Sequence, residues 1–130
     1  MRKILIDTNF YTAFKQGDKK AVEVLTCVKY IGVNVVVYAE LISGFKNGSK
    51  EENNRKELEA FLDSPRVYLL DVTEETTEYY ANIYTGLRKK GKPIPTNDLW
   101  VASSAIEHGL TLCTFDKHFL SVDGLLLKIF

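Results

Sequence analysis

Four acidic side chains occupy positions from which they could do chemistry: Asp7, Glu40, Asp98 and Asp116. Carboxylates that converge repel one another, and burial with like charge raises some of their pKa values. A hard divalent cation removes that conflict. Mg²⁺ and Mn²⁺ prefer oxygen donors, and Mg²⁺ typically takes one or two carboxylates directly while keeping several waters. An open site of that kind suits phosphoryl chemistry, because the ion polarises a phosphate, acidifies a bound water and neutralises developing charge. Each acid alone has a plainer explanation. Glu40 and Asp98 fall in the first turns of expected helices, where the dipole favours an acid. Asp7 and Asp116 are of the type that shapes turns. The joint pattern is what points to a site, since four unrelated caps need not converge.

No histidine or cysteine cluster competes with the acids. His108 falls in the last turn of an expected helix and reads as a dipole or surface residue. His118 is near Asp116 in sequence but is read as lying outside the site. Cys27 and Cys113 form neither a disulfide framework nor a zinc motif, and both read as buried, unreactive thiols.

The elements that must position the acids follow from periodicity. Lys3 to Ile6 reads as a first strand, ended by Asp7-Thr8-Asn9. A short helix carries Phe10 to Lys15, and a second runs from Lys19 to Tyr30. Val33 to Val37, β-branched at almost every position, suits a buried parallel strand. Helices are expected from Glu40 to the Gly48 stop and from Glu51 to Leu62, then a strand over Val67 to Leu70 and a long helix from about Glu74 to Lys90. After the rigid Gly91-Lys92-Pro93-Ile94-Pro95 connector, Thr96 or Asn97 caps a helix that ends at the Gly109 C-cap. Leu110 to Thr114 is a fourth strand, Phe115 to Phe119 a turn or short helix, and Leu125 to Ile129 a last strand. Alternating strands and helices imply an α/β fold with a mainly parallel sheet covered on both faces. In such sheets, sites form beyond the carboxyl ends of the strands. Asp7, Glu40 and Asp116 each follow a strand, and Asp98 opens the helix before strand four, so one rim can collect all four.

The 130 residues fit one domain, 1–130, with no internal repeat or linker. Hydrophobic residues are 45% and charged residues 26%, which argues against a disordered chain. No apolar run approaches the roughly 20 residues of a membrane span. The N-terminus shows no secretory pattern, so a cytoplasmic location is expected. Seventeen basic and seventeen acidic residues cancel. A metal-free nucleic-acid binder would be basic overall, so attraction to a polyanion must be local or come from a bound cation. Lys15, Lys19, Lys20, Lys46, Lys50, Arg55 and Lys92 could flank a groove and hold phosphates, or simply face solvent. Tyr80, Ile83 and Tyr84 read as core rather than interface.

Four motifs in order carry a family resemblance: Ile6-Asp7-Thr8-Asn9; Tyr38-Ala39-Glu40-Leu41 with Ser43-Gly44; Pro95-Thr96-Asn97-Asp98-Leu99-Trp100-Val101-Ala102; and Cys113-Thr114-Phe115-Asp116-Lys117-His118-Phe119. The chain resembles the PIN domain over essentially its whole length, in particular the VapC-type toxins of prokaryotic toxin–antitoxin pairs. The resemblance implies a three-layer α/β/α sandwich, Mg²⁺- or Mn²⁺-dependent endoribonuclease activity, and homodimers held by a cognate antitoxin. It makes Asp7 and Asp98 the main metal ligands, with Asp116 completing the site directly or through water. Glu40 would bind or orient a water or help a second metal, and Thr8, Asn9 and Thr114 would be supporting polar groups. Asn34 and Val36-Val37 stand where relatives often carry Ser or Thr.

Other readings fit less well. A haloacid-dehalogenase-type phosphatase wants a second Asp where Asn9 stands. A receiver domain wants an acidic pair beside Asp7, and the residues around Asp71 lack its remaining parts. A PIN-fold binding module, acting mainly through an antitoxin and DNA with little nuclease activity, is the main rival in a different class. Intact acids argue against a purely structural role.

Overall fold

The computed structural model describes residues 2–130. In chain order the elements are β1 (Lys3–Ile6), α1 (Thr8–Lys15), α2 (Lys19–Cys27), β2 (Tyr30–Asn34), α3 (Val35–Lys46), α4 (Glu51–Leu62), β3 (Val67–Leu70), α5 (Glu74–Lys90), α6 (Thr96–His108), β4 (Thr111–Thr114), a 3₁₀ turn (Lys117–Ser121) and β5 (Leu127–Ile129). The strands form one sheet in the order β3-β2-β1-β4-β5, and every pairing is parallel. Connections from β1 to β2 to β3 step one way across the sheet, and the α5–α6 connection steps back past β1 to β4. Right-handed crossovers therefore place the two groups of helices on opposite faces, giving the three-layer α/β fold expected from the sequence.

The middle strand is apolar because both its faces are covered: Ile4, Leu5 and Ile6 are fully buried. Phe10 of α1 stacks on Phe115 with ring centroids 5.7 Å apart and meets Phe130 edge-on at 5.4 Å. That aromatic cluster fixes the segment between β4 and the 3₁₀ turn, which carries Asp116. The Thr73 capping box starts α5, and the Thr76 hydroxyl also donates to Glu107 Oε1 of α6 at 2.7 Å. Tyr80 of α5 packs on Trp100 of α6 at 4.1 Å. These contacts lock the helix that opens with Asp98. Gly109, at φ 64°, ends α6 in the left-handed conformation and lets the chain turn directly into β4.

Several expectations change. The second strand ends at Asn34, and Val35, Val36 and Val37 begin α3 instead of extending the sheet. The reason is local: Asn34, fully buried, accepts the Val36 N–H on Oδ1 at 2.7 Å and so starts a helix in spite of the β-branched residues that follow. Helix α2 stops at Cys27 rather than Tyr30, where Arg66 Nη1 donates to the carbonyls of Leu25 and Val28 at 2.9 and 2.6 Å. Pro95, not Thr96 or Asn97, is the N-cap of α6. The last strand starts at Leu127. Cys113 is buried as expected, but Cys27 is exposed at the end of α2. Ile83 is core, whereas Tyr84 is 47% exposed. Among the described residues, no helix is long and apolar enough to cross a membrane.

Candidate active site

The four acids meet. Asp7, Thr8, Asn9, Glu40, Pro95, Thr96, Asn97, Asp98 and Asp116 line one open cleft of about 480 Å³ beyond the carboxyl ends of the central strands.

Asp7 joins β1 to α1 and is only 5% exposed. Its Oδ1 accepts the Phe10 N–H at 2.9 Å, which makes it the N-cap of α1. Its Oδ2 accepts the Thr114 hydroxyl at 2.5 Å, from the end of the neighbouring strand β4. The Thr114 oxygen in turn accepts the Asp116 N–H at 3.0 Å, so one hydroxyl ties the first acid to the backbone of the last. Glu40, in the middle of α3, is held at both oxygens: the Thr8 hydroxyl donates to Oε1 at 2.6 Å and Asn97 Nδ2 donates to Oε2 at 3.3 Å. Asp98 lies in the first turn of α6.

His118 belongs to the site, contrary to the expectation from sequence. The ring reaches the acids directly, with Nε2 2.8 Å from Asp98 Oδ2 and Nδ1 2.9 Å from Asp116 Oδ1. The spacing of two residues from Asp116 could have flagged it, because the 3₁₀ turn that follows folds the imidazole back over the same rim. Asn97, expected as a cap, instead orients Glu40. His108, as expected, stays near the end of α6 and lies 3.6 Å from Glu107. None of the seven basic residues named above lines the cleft. Lys15 pairs with Glu57 at 2.7 Å, and Lys46 and Arg55 both approach Glu51, at 3.4 and 3.5 Å.

Electrostatics follow from the crowding. Burial pushes the Asp7 carboxyl up from its usual range against the opposing bonds from Thr114 and Phe10, and the charges of Asp98 and Asp116 push the same way. Burial also raises Asp98; His118 counters this, while Glu40 and Asp116 add to it. A divalent cation would relieve both. The donors suit one, since they are chiefly carboxylate oxygens with a single imidazole beside them. Ligand atoms of Asp98, Asp116 and His118 lie within 4.8 Å of one another. Asp98 Oδ1 and Asp116 Oδ2 have no hydrogen-bond partner among the described residues.

A parallel five-stranded sheet with an acidic rim is the arrangement of a known class, and comparison bears this out. A family model described as the PIN domain matches residues 4–125. Ribonuclease VapC2 of Rickettsia felis is 34% identical over 129 residues, 95% of each chain. Ribonuclease VapC4 of Mycobacterium tuberculosis is 30% identical over 91 residues, 70% of each chain. Among solved structures, VapBC2 from Rickettsia felis bound to a DNA fragment from its promoter superposes with a TM-score of 0.88 at 30% identity, covering 98% of both chains. VapBC-1 from nontypeable Haemophilus influenzae gives 0.83 at 27% identity, covering 97% of this chain and 96% of that one. The chain belongs to the PIN-domain family, and within it to the VapC type.

Proposed function

We propose that this chain is a Mg²⁺- or Mn²⁺-dependent endoribonuclease that hydrolyses RNA phosphodiester bonds as the toxin of a toxin–antitoxin pair. One observation carries the reading: acids from four remote segments line a single open cleft, two of them with raised pKa values. Its relatives are named ribonucleases, which supports the same chemistry here.

Asp7, Asp98 and Asp116 would hold the ion. When bound, it would supply a Lewis acid for the phosphate and a water of lowered pKa. The chain's own groups do the rest. Thr114 and the α1 backbone fix Asp7 in one rotamer. Glu40, oriented by Thr8 and Asn97, faces the cleft where it can accept a proton from the attacking water. Asn9, Thr96 and Asn97 offer polar contacts to the strand being cut. With no Lys or Arg among the residues that line the cleft, attraction of a polyanion to a chain of zero net charge falls to the cation.

Similar structures are VapBC assemblies, which supports a cognate antitoxin as the partner. We further propose a homodimer as the unit it binds. Residues 1–130 would act as one domain, in the cytoplasm, where RNA is met.

The test is direct. Purified protein with single-stranded RNA should cleave with Mg²⁺ or Mn²⁺, stop with chelator, and lose cleavage as Asp98→Asn. An Asp98→Asn variant that cleaves like the parent sinks the site; a parent that cleaves nothing but binds antitoxin and operator DNA favours the binding-module rival.

A further inference from the structure

Each acid of the cleft has an orienting partner. Asp7 has Thr114 and the Phe10 N–H, and Glu40 has Thr8 and Asn97. For Asp98 and Asp116 that partner is one shared side chain. The His118 imidazole touches Asp98 Oδ2 through Nε2 at 2.8 Å and Asp116 Oδ1 through Nδ1 at 2.9 Å. It engages a single oxygen of each. The second oxygens, Asp98 Oδ1 and Asp116 Oδ2, are unpartnered among the described residues. Asp98 and Asp116 are among the residues that line the cleft, and His118 is not. The ring is itself held: it lies 4.7 Å from that of Phe119, which is fully buried.

We propose that His118 is a positioning residue that holds Asp98 and Asp116 by one oxygen each, so that the other oxygen of each is presented to the divalent ion. The proposal rests on the ion-binding reading above. A carboxylate on a free side chain must give up rotamer freedom when it ligates. A ring that bridges two carboxylates removes that freedom in advance and keeps the pair from swinging apart under mutual repulsion. Partners of this kind typically change metal affinity about 10–100-fold.

The test uses the full chain, freed of metal, with Mn²⁺ alone as the probe, titrated calorimetrically. His118→Ala should bind Mn²⁺ about 10–100-fold more weakly than the parent. His118→Gln, whose amide nitrogen can donate to one carboxylate but whose oxygen cannot bridge to the other, should fall between them. The Mn²⁺ paramagnetic resonance of the parent should carry no nitrogen coupling from the ring. Metal-free melting reports whether each variant folds; should the Ala variant not fold, the Gln variant decides alone by binding more weakly than the parent. Unchanged affinity in the folded variants overturns the proposal. So does a Gln variant no better than a folded Ala variant, because the loss is then one of packing. Nitrogen coupling overturns it in favour of direct ligation. A parent that takes up no Mn²⁺ removes the ion-binding reading itself, and this proposal with it.

Discussion

Thr114 donates its hydroxyl to Asp7 at 2.5 Å, across 107 positions of sequence. Thr114 ends β4 and Asp7 directly follows its parallel neighbour β1, and their bond holds a buried carboxyl that desolvation pushes toward its neutral form. The raised pKa of Asp7 makes the site an expected source of instability in the metal-free protein.

Asp7→Asn exposes that cost. Asparagine can still accept the Phe10 N–H as N-cap and meet Thr114 through its amide, so α1 keeps its start. A carboxyl whose folded pKa is raised contributes stability that is fully present below its unfolded pKa, near 3.8, and is lost as pH rises through the folded value. The metal-free parent loses this contribution toward neutral pH and the variant does not. Metal-free melting curves over a pH series should show Asp7→Asn the more stable at neutral pH, with the gap closing as pH falls.

Added metal should reverse the order. At a hundredfold excess over Kd, Mg²⁺ or Mn²⁺ should stabilise the parent by about 2.7 kcal/mol. Asp7→Asn and Asp98→Asn should show little of this shift in a thermal melt, since each removes a charged ligand.

Glu40→Gln separates binding from chemistry. The amide keeps a partner for Thr8 but cannot take a proton, so cleavage should drop roughly 10²-fold or more. The metal-induced rise in Tm should persist, because Asp7, Asp98 and Asp116 remain. Rates and melts on one preparation check both halves.

The thiols report the fold. Cys27 is exposed, whereas Cys113 is buried with its pKa pushed up to about 12 by desolvation. A thiol reagent should modify one cysteine quickly in the native protein and both after unfolding.

Much of this was legible in the sequence because it was local. Apolar runs followed by Asp7 and Asp116, and the Gly109 stop, fixed the strands and their rim, and the rule that parallel sheets bear sites at their carboxyl ends gathered the acids. What escaped depended on contacts between remote segments. Val35 to Val37 carry strand propensity, and only the buried Asn34 cap makes them helical. The exposure of Cys27 depends on where Arg66 stops α2. The reach of His118 depends on a five-residue turn whose direction Phe119, packed in the core, decides.

The sheet order has a bearing on synthesis. The strand made first sits in the middle, between β2 and β4, and its partner β4 emerges near the end of the chain. Asp98 and Asp116 can stand against Asp7 only after β4 has followed β2 and β3 in the chain and paired with β1, so the acidic rim is among the last parts of this fold to be assembled.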